Sequence, residues 1–106
     1  MFEARQLTEH GKIYLEAANL LEKKGWCQHL SSNSKNQVCI AEALHRSVYG
    51  TEEMVDMNTV SDTRAWSPSY TALTKFIGED AIRWNDAIGR TKAEVIEKLR
   101  EAAYNP

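Results

Sequence analysis

The run "TKAEVIEKLREAA", residues 91–103, constrains the fold more than any other part of the chain. Thr91 followed three positions later by Glu94 forms a capping box, in which each side chain satisfies the other residue's backbone N–H. Behind it Val95, Ile96, Leu99, Ala102 and Ala103 recur at three- and four-residue spacing, a stripe that only a helix lays on one face. Glu94 and Lys98 add a favourable i,i+4 pair, whereas Glu97 and Glu101 repel mildly. A helix with such a stripe must bury it, so the remaining chain has to supply matching apolar faces.

Matching faces are present. In "TEHGKIYLEAANLLEKKG", Ile13, Ala17, Leu20 and Leu21 form one stripe, widened by Tyr14 and Ala18. Thr8 is a candidate cap, Lys23 and Lys24 suit the negative end of the helix dipole, and Gly25 stands where a helix exits. Gly11 weakens the first turn, which leaves a start near Lys12 as an alternative. "IAEALHRSVYG" carries Ile40, Ala43, Leu44 and Val48 on one face and ends at Gly50. In "SPSYTALTKFIGE", Ser67 reads as a cap and Pro68 as the first helical residue, where the missing N–H does no harm. Tyr70, Leu73, Phe76 and Ile77 are its predicted buried face.

Between the first two helices, "WCQHLSSNSKNQVCI" places short apolar-rich pieces at 26–30 and 38–40 around a polar run, which predicts a hairpin. Residues 51–66 read as a loop with some helical character. A chain of 106 residues with 42% hydrophobic content suits one modest core. The expectation is a mostly α (α+β) fold: a single compact domain over 1–106, about four to five helices, and one small β-hairpin near residues 26–40.

Composition narrows the function classes. A net charge of −2 argues against a surface built to neutralise nucleic-acid phosphates. No stretch approaches the roughly 18 consecutive apolar residues of a membrane span, and the N-terminus lacks the order of a secretory leader. A cytoplasmic protein without a membrane partner is expected. In a reducing cytosol Cys27 and Cys39 should be thiols, and a disulfide between them is disfavoured.

The candidate chemistry is sparse. Cys27, His29, Cys39 and His45 are residue types that hold zinc, and a one-residue gap on a strand puts Cys27 and His29 on the same face. The spacing is not that of a finger or ribbon, and two buried thiols with exposed histidines is the simpler reading. No glycine-rich phosphate loop and no marked nucleophile–base pair is present, so neither a cofactor nor catalysis is expected. Of Trp26, Trp66 and Trp84, Trp66 is the first choice for an exposed anchor. It lies beside Glu52, Glu53, Asp56 and Asp62, which together would make a partner-binding patch.

In "RWNDAIGRT", residues 83–91, Trp84 reads as a plug between the last helices. Asn85 and Asp86 are turn formers that bond N–H groups two residues on, and Gly89 permits a positive φ. Asp86 and Arg90, four apart, suit a charge-assisted bond across the turn. The functional alternative makes that pair a recognition site.

"EAANLLEKKGWCQ", "VCIAEAL" and above all "RWNDAIGRTKAEVIEKLREAA" resemble an uncharacterised family of small domains encoded by actinobacteria, other bacteria and bacteriophages. The resemblance covers about residues 12–48 and 70–104. The family has no established activity, so it implies no catalytic residues. A phage setting would imply a small protein that binds and modulates a host factor. The leading expectation is a non-catalytic module that binds another protein. The alternatives are a small zinc-stabilised domain using Cys27, His29, Cys39 and His45, and a small-ligand or enzyme site near Asp86 and Arg90. An amphipathic last helix and three tryptophans would serve a dimer as well as a monomer.

Overall fold

The computed structural model describes residues 8–29, 34–35, 37–50 and 68–104. Five helices are found there: α1 (Glu9–Lys24), α2 (Ile40–Tyr49), α3 (Pro68–Ile77), α4 (Ala81–Asn85) and α5 (Lys92–Ala103). The long α1 is the central element and packs chiefly on α5 and α2. Ala17, Ala18 and Leu21 on α1 are fully buried, as are Val95 and Leu99 on α5 and Ala43 and Ile40 on α2. The small residues of α1 let its neighbours approach closely, and the larger aliphatics fill the space between axes.

The caps expected at Thr8 and Thr91 form, whereas Ser67, expected to cap α3, lies outside the described residues. Thr8 Oγ1 accepts from Gly11 N at 3.0 Å and starts α1 at Glu9 rather than near Lys12. Both halves of the Thr91–Glu94 capping box are made, at 3.2 Å and 2.9 Å. Gly25, Gly50 and Gly78 follow their helices with φ of +92°, +69° and +95°, a region that an L side chain enters only with strain. Asp80 caps the short α4, accepting from Arg83 N at 3.2 Å, and its other carboxylate oxygen accepts from Tyr70 Oη at 2.7 Å.

Two expectations need correction. The segment around residues 26–40 is not a hairpin. Among the described residues the only pairing there is an isolated parallel bridge, Trp26 with Val38. Val38 N donates to Gly25 O at 3.0 Å and Cys27 N donates to Val38 O at 3.1 Å. The two apolar pieces do meet, but they run in the same direction, not in the opposite directions a hairpin requires. Among the described residues the domain is therefore helical with one isolated bridge, not α+β. Phe76, expected in the core, is 39% exposed, while Ala81, on the short α4, is fully buried in its neighbourhood.

Gly11 has a role that propensity obscures. A Cβ built there would lie 2.7 Å from the backbone oxygen of Ala103. The N-terminal turn of α1 therefore meets the C-terminal end of α5 backbone to backbone, and the loss of helix propensity at Gly11 is the condition for that crossing. Gly11→Ala should destabilise the domain by about 1–3 kcal/mol through overpacking, measured by denaturant unfolding. Were propensity to govern this site, the same variant would be more stable than the parent.

Candidate functional site

The densest polar chemistry lies where α4 ends. Asn85 is fully buried, and its amide is saturated by four hydrogen bonds. Oδ1 accepts from Trp26 Nε1 at 2.6 Å and from Ile40 N at 3.1 Å. Nδ2 donates to Cys27 O at 3.3 Å and to Asp86 Oδ1 at 2.9 Å. Two acceptor positions and two donors are thus all used, the full capacity of a primary amide. Ile40 N is one of the N–H groups that the start of α2 leaves without an intrahelical partner. Asn85 caps that helix from 45 residues away. Cys39 completes the cap: its Sγ accepts from Glu42 N at 3.4 Å.

Around this amide the corner is tied further. Gln28 Nε2 donates to Asn85 O at 3.0 Å and to Ala87 O at 2.9 Å. Asp86 Oδ1 accepts from His29 N at 2.9 Å, and Asp86 Oδ2 lies 3.7 Å from His29 Nδ1. Arg90 does not pair with Asp86. Its Nε donates to Trp84 O at 2.9 Å, its guanidinium lies 4.0 Å from the Trp84 ring centroid, and Nη1 reaches Glu94 at 3.6 Å. A flat cation on an indole face is a favourable stack, which gives Arg90 a better partner than a carboxylate already engaged elsewhere.

The sequence candidates are thereby distributed. Cys27 and Cys39 are buried free thiols. Burial, reinforced by nearby Cys39 and Asp86, pushes the Cys27 thiol up to about 11. Burial also raises that of Cys39, against the lowering effect of the N–H groups of Glu42 and Ala41. Both stay protonated near neutrality, when a nucleophile or metal ligand requires the thiolate. His29 is exposed and joined to Asp86, whereas His45 is buried 3.9 Å from Glu42. Among the described residues no three His, Cys, Asp or Glu side chains gather as a metal site. Trp84 is buried, as expected of a plug. Trp66, Glu52, Glu53, Asp56 and Asp62 lie outside the described residues.

Three features were not anticipated. Asn85 is a core amide rather than a turn former, although its position four residues after Ala81 puts it on the buried face of α4. Glu42, 4% exposed, and Arg46, 3% exposed, form a buried pair at 2.8 Å along α2. Ser69 is buried against α1, where its Oγ lies 2.8 Å from His10 Nδ1 and its carbonyl accepts from Tyr14 Oη at 2.7 Å.

A helical domain locked at one end by a buried asparagine that joins the partly buried Trp26 to a helix cap is the class of protein these observations define. The chain belongs to DUF6197, a family of unknown function, whose model matches residues 6–105. No curated protein matches the chain, and no solved structure does. Among the described residues no helix is long and apolar enough to cross a membrane.

Asn85→Ala leaves Trp26 Nε1, Ile40 N and Cys27 O without their buried partner, and should lower stability by about 3–5 kcal/mol, read from the denaturant midpoint. A loss under about 1 kcal/mol would show that water replaces the amide. The thiols set a separate pH dependence. A thiol held above its unfolded value of 9.0 keeps its proton longer in the folded state, so the folded form binds more protons in that window and stability falls as pH rises. Unfolding midpoints should be flat in this respect from pH 7 to 8.5 and decline above about pH 9. The decline should shrink in Cys27→Ser.

Proposed function

We propose that the chain is a small non-catalytic binding module whose partner is another protein, engaged at the corner that follows α4. The observation that carries this reading is Ile88, which is fully exposed. A turn tip of this kind asks for small or polar residues, and a β-branched aliphatic side chain in water contributes nothing to the fold. Its neighbours hold it in one place. Ala87 O accepts from Gln28 and from Arg90 N, Asp86 is tied to His29, and Gly89 turns the chain with φ of +85°. An apolar knob on a pre-ordered turn loses little entropy on docking, the condition under which one side chain makes a useful contact.

The polar groups beside it support binding over catalysis. Asp86 and Arg90, the only pair in this corner that invited an enzymatic reading, are engaged in holding the turn. The stretch containing Glu52, Glu53, Asp56, Asp62 and Trp66 is a second proposed contact, supported by its composition alone. A host factor as partner, in a phage setting, is the corresponding biological reading and rests on the family resemblance.

The reading is tested with matched baits. Ile88→Asp should leave the unfolding midpoint within about 0.5 kcal/mol of the parent, as for any exposed site. Proteins cross-linked to the parent in lysate of the source organism should disappear from the Ile88→Asp bait. Trp66→Ala, run in parallel, reports on the second contact. Identical capture by the parent and Ile88→Asp would sink the corner as the docking site.

A further inference from the structure

A different face of the domain carries a groove that the corner does not use. Between the start of α1, the middle of α3 and the end of α5 runs a groove of about 460 Å³. Its apolar lining comes from Tyr14, Ala72, Phe76 and Ala102, and its polar lining from Thr8, His10 and Lys75. Spaces of this size, mostly apolar with a few polar groups, are typical of small-molecule sites.

The charges are one-sided. No carboxylate lines the groove among the described residues, and Lys75 makes no ion pair there. Two of the other polar side chains are committed inward: His10 Nδ1 lies 2.8 Å from Ser69 Oγ, and Tyr14 Oη donates to Ser69 O. Burial holds the Tyr14 phenol up at about 12, so it brings no negative charge to the wall. Phe76, which the periodicity of α3 places with the core, instead stands 39% exposed, with Lys98 5.8 Å from its ring centroid. An aromatic ring at the edge of an apolar groove that, among the described residues, is lined by a lysine and no carboxylate complements a molecule with an apolar body and an anionic head.

We propose that this groove binds a small carboxylate amphiphile, its hydrocarbon part on Tyr14, Ala72, Phe76 and Ala102 and its carboxylate on Lys75. The site is separate from the Ile88 corner, and each stands or falls without the other.

The test titrates octanoate, kept below its micelle-forming concentration, into the full-length protein labelled for amide NMR, with octan-1-ol as the neutral counterpart. Octanoate should produce saturable shifts centred on Ala72, Lys75, Phe76 and Ala102, and should bind more tightly than octanol. Lys75→Gln should weaken octanoate by about threefold to fivefold, the range of an exposed ion pair, and leave octanol unchanged. Ala72→Phe, which fills the groove, should abolish both. Because Lys75 is exposed, its substitution is compatible with folding and decides the matter even if Ala72→Phe fails to fold. The proposal is overturned by shifts that do not saturate or that centre elsewhere. It is equally overturned by equal affinity for octanoate and octanol in the parent, or by an octanoate affinity that Lys75→Gln leaves unchanged.

Discussion

Everything at one end of the domain depends on a single buried amide. Asn85 receives the indole N–H of Trp26 and the first N–H of α2 on one oxygen, and returns its own N–H groups to Cys27 O and to Asp86. Each of those groups would carry a desolvation penalty if left alone in the core, and the amide removes all of them at once. It also solves a topological problem. The chain leaves α1 at Gly25 and must return to begin α2 beside it, and the single parallel bridge at Trp26 and Val38 is too short to hold that geometry by itself. Asn85 acts as the missing part of the sheet.

The same arrangement explains why reactive residue types sit here without reactivity. Cys39 uses its sulfur as a helix cap, and Cys27 donates to Gln37 O at 3.5 Å. Their protons are held by burial. Arg90 lies over the Trp84 ring, so a residue that looks like a recognition cation helps to cover the core. A buried pair, Glu42 with Arg46, occupies the next turn of α2. Pairs of this kind add little net stability but penalise any packing that separates them. Polar chemistry in this domain therefore selects one arrangement of helices.

The surface shows the complementary pattern. The features not demanded by folding are apolar: Ile88 on its fixed turn, and Phe76 beside Lys75 at the mouth of a groove. They lie in different parts of the chain: Ile88 follows α4, and Phe76 belongs to α3.

The helices were legible in the sequence because their signals are local. The Thr91–Glu94 box, the stripes of α1 and α5, Pro68 and the glycines at helix ends act within three or four residues, and the corresponding structure forms where they stand. Trp84 as a buried plug was legible for the same reason. What only the tertiary structure decided are the partners of side chains whose bonds span half the chain. Asn85 to Trp26 joins residues 59 positions apart, and Gln28 to Ala87 another 59. No local pattern distinguishes an asparagine that turns the chain from one that caps a distant helix. The direction of the Trp26–Val38 pairing is likewise visible only in the structure, and Gly11 shows its meaning only when Ala103 lies against it. Local propensity determined which segments are helices, and long-range satisfaction of buried polar groups determined how they meet.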